Sequence, residues 1–263
     1  MAGMRFGPGG TGSPAIEGIR EIASKGLDCV EVEFTYTVWM KDKAAEEFGK
    51  VARDLGLSLS IHAPYFVNLA SAEKHKIIAS KNRILSCCES AQQMGFSQEK
   101  EPIYIVFHAA FYGKMEHESC YQQVKKEVFD MMKTMKKNGW DVPVLCPETT
   151  GKGSQFGTYQ ELVRLSQETG CGVCVDFAHI YARDDGKIDY DDVMKTIKNA
   201  RHLTCHFSGI EYTAKGERRH KLTPVDKIEE LFKYAKKYKM DLRIINESPE
   251  PLKDAIKMKK LWK

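Results

Sequence analysis

Residues 173–183 read VCVDFAHIYAR, a stretch that begins as one kind of structure and ends as another. Val173, Cys174, Val175 and Phe177 make the short β-rich apolar run of a buried strand. Asp176 and His179 stand where that run gives way to a loop, and a carboxylate and an imidazole there need partners. Seven more runs share the apolar part of this pattern: MRFG at 4, DCVEVEF at 28, SLSIHA at 58, IYIVFHA at 103, VPVLCPET at 142, HLTCHFS at 202 and DLRIINES at 241. Segments with the apolar spacing of helices separate them. SPAIEGIREIASKG is expected to start on a capping Ser13 with Pro14 in its first turn, and to stop at Gly26. TPVDKIEELFKYAKKYK repeats that logic, with Thr223 as cap and Pro224 behind it. In AEKHKIIASKNRILSCCESAQQMG, Ile77, Ile78, Ile84 and Leu85 are expected to form one apolar face.

Strand then helix, eight times, at intervals of about 24 to 45 residues, is the pattern of a (β/α)8 TIM barrel, an α/β fold of typically about 250 residues. No proline- or glycine-rich linker divides the chain, so residues 1–263 are expected to form a single domain. A doubly wound open sheet is the alternative. It usually needs fewer strands, and GPGGTG after the first strand lacks the spacing of a dinucleotide-binding loop.

The 263 residues are 42% hydrophobic and 29% charged, enough apolar material for a sizeable core. No run approaches the ~18 apolar residues that cross a bilayer, and MAGMRFGPGG lacks the layout of a secretory signal. The 8 cysteines lie mostly inside apolar segments, as reduced thiols of a cytoplasmic protein would. Cys171 and Cys174 form a CxxC, yet strand periodicity points them to opposite faces, which favours core packing over redox or zinc chemistry. Net charge is +4, compatible with a polyanionic partner without requiring one. The basic runs KGERRHK and KMKKLWK are solvated faces in the plainer reading. Nothing suggests a self-complementary patch, so a monomer is expected.

Six consecutive strands end on a metal-competent side chain: His62, His108, Glu148, Asp176, His206 and Glu247. His179 follows Asp176 closely, and His220 lies in the loop after strand seven. A lone strand-end histidine is more often a hydrogen-bonded structural residue, and a lone carboxylate a helix cap. The ensemble resists that account, because a barrel brings these ends to one mouth, where uncompensated acids and imidazoles are costly to bury. Divalent cations resolve the conflict. Five histidines with three acids favour zinc, with manganese or iron next. Eight ligands exceed one tetrahedral ion, and multinuclear sites with ions about 3.5–4 Å apart serve phosphoryl chemistry. His75, His117 and His202 lie on helices or at a strand start and are assigned no chemistry.

The chain resembles the endonuclease IV family of apurinic/apyrimidinic endonucleases through most of its length. The motifs that carry the resemblance are IHAPYFVNLA, ETTGKGSQFG, VCVDFAHIYARD, HFSGIEYTAKGERRH and NESP, in the family's order. The resemblance implies a trinuclear zinc cluster. In it His62, His108 and Glu148 hold the first ion. Glu148 bridges to a second, bound also by Asp176, His206 and Glu247, and His179 and His220 serve the third. It implies damaged double-stranded DNA as the partner, cut 5′ to an abasic nucleotide turned out of the helix, with Glu148 orienting the attacking hydroxide.

Two departures stand out. Where the family has Asp-Arg-His, this chain has Arg218, Arg219 and His220, and an arginine ligates no cation. Either Glu217 substitutes through a shifted loop or the site holds two ions. The loop after strand two, TYTVWMKDK, replaces the family's duplex-intruding stretch. Tyr36, Trp39 and Tyr65 are candidate DNA contacts, though Tyr36 and Trp39 are equally suited to packing over the rim. Lys152, Lys215, Arg218 and Arg219 are candidate phosphate contacts. Glu148, Asp176, His206 and Glu247 by themselves also satisfy the single-metal quartet of sugar isomerases and epimerases of similar architecture, which is the alternative function. A binding module with a degraded site is the third reading.

Overall fold

The computed structural model describes residues 3–95 and 102–262. Every expected strand forms: β1 Met4–Pro8, β2 Cys29–Glu33, β3 Ser58–His62, β4 Ile103–Phe107, β5 Pro143–Pro147, β6 Val173–Asp176, β7 Leu203–Phe207 and β8 Leu242–Asn246. All their pairings are parallel. β1 pairs with β8, β8 with β7 and β7 with β6, while β2–β3–β4–β5 form a second run. Parallel bridges at Gly9–Glu31 and Glu148–Cys174 join the two runs at both seams, closing a barrel and excluding the open sheet. Outside the staves lie helices α1 Ala15–Ser24, α2 Asp42–Asp54, α3 Lys74–Met94, α4 His117–Lys137, α5 Tyr159–Thr169, α6 Phe177–Arg183, α7 Tyr190–Ile197, α8 Val225–Tyr238 and α9 Pro251–Leu261. Among the described residues, no helix is long and apolar enough to cross a membrane.

The staves read as near-continuous apolar runs because both their faces are covered, by helices outside and by side chains inside. Phe6, Val30, Ile61, Ile105, Leu145, Val175 and Ile244 are all but fully buried. The barrel floor is polar at one point. Arg243 is 1% exposed, and its guanidinium donates to Ser58 Oγ, Ser60 Oγ, Thr204 Oγ1 and the Val30 carbonyl. Ser60 Oγ in turn donates to Glu31 Oε2 at 2.6 Å, so a buried cation and a buried acid share one hydroxyl.

Three local expectations are corrected. Helix α1 starts at Ala15 with Pro14 at the N-cap, which leaves Ser13 one position too early to cap it. Thr223 does not cap α8 either: its hydroxyl accepts from Asn246 Nδ2 at 2.8 Å, tying the helix entrance to β8. Ile84 is buried on α3, but Ile78 is 58% exposed, so the apolar stripe is narrower than its isoleucines suggest. The cysteines are all free and buried; Cys171 precedes β6 and Cys174 lies within it.

Candidate metal centre

Glu148 sits at the centre of the barrel mouth, fully buried just beyond the end of β5. Its Oε2 lies 3.2 Å from His62 Nε2 and 2.9 Å from His108 Nε2. Its Oε1 lies 3.0 Å from His206 Nδ1 and 3.5 Å from His179 Nδ1. One carboxylate thus faces imidazoles from the ends of β3, β4 and β7 and from the first turn of α6. Glu247 closes the far side, 3.2 Å from His206 Nδ1 and 3.9 Å from His220 Nε2. The pocket above has a volume of about 440 Å³ and is lined by His62, Tyr65, His108, Glu148, His179, His220 and Glu247, with Glu33, Glu217 and Ser248 on its wall.

The imidazoles are held from behind. His62 Nδ1 lies 2.9 Å from the Ala63 carbonyl, which leaves Nε2 for the basin. His206 turns the other way: its Nε2 sits 3.0 and 3.2 Å from the two oxygens of Glu31, and Nδ1 faces Glu148. His220 Nδ1 meets Ser208 Oγ at 2.6 Å. Such outer partners set the tautomer and aim of a metal-binding histidine. Asp176 caps α6, accepting from the His179 backbone N–H at 2.9 Å through Oδ1. Thr149 braces that turn, bonding the Asp176 backbone on both sides. Arg183 fastens the facing loop, since its Nη1 donates to the carbonyls of Thr150, Lys152 and Gln155.

The acids and imidazoles of the basin bias one another's protonation. Burial works against a charged His62, yet its bond to Glu148 and the acids around it raise it to about 9. His179 is also held well above the ordinary imidazole range, burial being outweighed by Asp176 and Glu148. Burial pushes Glu148 up, but the His206 and His108 imidazoles hold it well below the usual carboxylate range. For Asp176 burial wins, and its acid is raised.

Asp176 Oδ2 and His179 Nε2 are buried with no hydrogen-bond partner, an expensive state for a carboxylate and a ring nitrogen. Among the described residues, ligand-competent atoms fall within 4.8 Å of one another in four overlapping sets: His62/His108/Glu148, Glu148/Asp176/His206/Glu247, Asp176/His179/His220 and Glu148/Cys174/His206. Imidazoles and carboxylates converging at this spacing, two of their atoms orphaned, are the donor set that zinc takes once the rings give up their protons. The residues fit divalent cations.

All eight anticipated ligands therefore converge. The other candidates divide. Tyr65 lines the pocket, its ring 6.0 Å from that of His62. Tyr36 is 71% exposed beside Phe66 on the rim. Trp39 packs edge-on against Phe34 and donates to the Glu33 carbonyl, so the rim-packing reading suits it better. Lys152 is half-buried and Lys215 exposed. Arg218 and Arg219 extend into solvent and both pair with Glu211, at 2.6 and 2.8 Å.

Sequence reasoning missed Glu31 and Glu33, and it assigned Cys174 to core packing rather than to the site. Two acids spaced by two residues inside a strand otherwise fit for burial were the available signal, since both then point to one face. Cys174 packs with Val106 and Cys146 inside the barrel, beneath Glu148 and His206, and burial raises its thiol far above the ordinary range.

A family model described as a xylose isomerase-like TIM barrel matches residues 19–262. An uncharacterized protein of Methanocaldococcus jannaschii is 30% identical over 262 residues, covering 94% of this chain and 90% of that protein. A probable endonuclease 4 of Mycobacterium leprae is 26% identical over 201 residues, covering 74% of this chain and 75% of the relative. The solved structure of endonuclease IV from Thermus thermophilus aligns with a TM-score of 0.71 at 21% identity, over 98% of each chain. That of 3-keto-D-glucoside 4-epimerase from E. coli aligns with a TM-score of 0.72 at 14% identity, also over 98% of each. The two structural likenesses speak to the fold.

Proposed function

The chain belongs to the xylose isomerase-like TIM barrel family, and from that premise we propose that it is a zinc-dependent phosphodiesterase that incises DNA 5′ to abasic sites. One observation carries the reading. The quartet Glu148, Asp176, His206 and Glu247 is joined by His62, His108, His179 and His220 in overlapping donor sets, more ligands than a single ion accepts. A one-metal isomerase has little use for the second four. The curated relatives named as probable endonuclease 4 favour the same choice.

In this reading His62, His108 and Glu148 would hold one ion, Glu148, Asp176, His206 and Glu247 a second, and Asp176, His179 and His220 a third. Zinc is the ion that suits the donors best, with manganese possible on the same ligands. When bound, such ions supply Lewis-acid charge to phosphodiester oxygens and ease deprotonation of water. Glu148 stays ionised, presents an oxygen to each side of the basin and orients the attacking water. Tyr65 packs beside the extruded deoxyribose, and Tyr36 offers a stacking surface at the rim, with Trp39 shaping the rim beside it. Lys152 and Lys215 grip backbone phosphates, with Arg218 and Arg219 in support, which yields sequence-independent, salt-sensitive binding. Extrusion costs little because an abasic nucleotide has no base to unstack.

A second reading is a single-metal sugar isomerase or epimerase. It is favoured by Glu33, an acid on the pocket wall raised first by burial and then by Glu247, which suits a sugar hydroxyl better than a phosphate. The test is incubation of the zinc-loaded chain with a duplex carrying one abasic analogue, with and without prolonged chelation. Chelator-sensitive nicking 5′ to the lesion is the expected result. An intact duplex together with turnover of free ketoses transfers the assignment to the second reading.

A further inference from the structure

We infer that Glu217 is a cation ligand of the Asp176/His179/His220 cluster, delivered there by a β-bulge at Arg218. This rests on the cation-holding reading of the basin and adds a residue to it. The hairpin after β7 pairs Gly209–Thr213 with Gly216–Lys221. Ile210 faces His220 and Glu211 faces Arg219, but Tyr212 faces Glu217, so the register slips and Arg218 is left as an extra residue. In a regular strand residues three apart point to opposite faces. One inserted residue reverses that, and Glu217 and His220 come to share the face toward the barrel mouth.

The geometry agrees. Glu217 Oε2 lies 3.3 Å from His179 Nε2, the buried ring nitrogen that has no hydrogen-bond partner. Glu217 lines the pocket with only 19% of its side chain exposed. Its approach depends on a glycine, because a Cβ on Gly151 would lie 2.6 Å from Glu217 Cβ and 2.9 Å from its Oε2. The Glu217 backbone N–H also donates to the Gly151 carbonyl at 2.9 Å, locking hairpin to loop. Arg218 itself turns outward to Glu211 and brings no charge into the basin. Asp176, His179 and His220 supply three donor residues, and Glu217, in contact with His179, would add a second carboxylate and the fourth residue that a tetrahedral zinc site takes.

The experiment loads the full-length chain with zinc sulfate alone, removes excess, and reads zinc per chain and its retention against a chromophoric chelator. Glu217→Gln, Gly151→Ala and deletion of Arg218 should each lose a single ion that the wild type retains, with circular dichroism unchanged. Arg218→Ala keeps the inserted residue and should retain the wild-type count. Equal zinc content and retention in Glu217→Gln and wild type overturns the inference, as does a loss in Arg218→Ala that matches Glu217→Gln. The functional reading fails separately: a wild type that holds zinc but leaves abasic DNA intact removes the nuclease and leaves Glu217 as a ligand.

Discussion

Glu31 touches the basin only through another residue, and its effect should be readable for that reason. It accepts from His206 Nε2 and from Ser60, whose hydroxyl in turn accepts a hydrogen bond from buried Arg243. Replacing it removes the group that makes His206 present Nδ1 to Glu148. Partners of this kind are worth about 10- to 100-fold in metal affinity. Glu31→Gln is therefore expected to weaken zinc retention within that range in a chelator competition, and Glu31→Asp to recover part of it. An unchanged affinity means the ring is held by packing alone. Among the proposed ligands, His62, His108, Glu148, Asp176, His206 and Glu247 were legible because each ends an apolar run, so that a polar tip at the mouth contradicts its own strand. Glu31 was not, because it lies inside β2, where only the barrel interior shows it a partner. Glu217 was half legible: its neighbour Arg218 is chemically wrong for a ligand, but the register slip that replaces it exists only in three dimensions.

Elements were read well by type and less well at their ends. Periodicity reports the apolar face of α1 and α8, whereas capping depends on where a hydroxyl goes, and Thr223 spends its hydroxyl on Asn246. Close approach between elements is equally hidden in sequence. Gly49 lies where α2 crosses α3, and a Cβ there would stand 1.9 Å from the Met94 carbonyl oxygen. Alanine would gain about 1 kcal/mol in helix propensity, but a backbone carbonyl cannot move aside as a side chain can. Gly49→Ala should destabilise by about 1–3 kcal/mol in denaturant unfolding, with the two helices forced apart. Between α4 and α5, Arg164 bonds Glu118 and Glu168 and lies over the Tyr121 ring. Arg164 first and Gln122 second hold Glu118 at about 2, and Lys125 with Arg164 holds Glu168 at about 2. These are depressed carboxylates, so their contribution is complete above the ordinary carboxylate range and is lost as pH falls toward 2. The stability gap between wild type and Arg164→Ala should thus be constant near neutral pH and shrink on acidification. A gap that persists unchanged at low pH would assign it to stacking on Tyr121.

At the scale of the molecule, the barrel was legible because eight strand–helix repeats leave little other way to bury eight apolar runs on both faces. What the repeats do not encode is which basic residues are free. The chain carries a net charge of +4, but Arg218 and Arg219 already share the single carboxylate of Glu211. Lys152→Ala with Lys215→Ala should lower the salt-dependence slope of duplex binding by about 2, measured by fluorescence anisotropy, and Arg218→Ala by clearly less. Equal slopes for all three would remove the phosphate-contact assignment. The central claim is that Glu148 joins imidazoles from separate strands into one basin that holds divalent cations. It is tested most directly by zinc analysis of the dialysed full-length chain beside Glu148→Gln, whose fold is checked by circular dichroism. The account expects more than one tightly held zinc per wild-type chain and loss of the ions that Glu148 touches in the variant; a zinc-free wild type, or a variant with the same content, contradicts it.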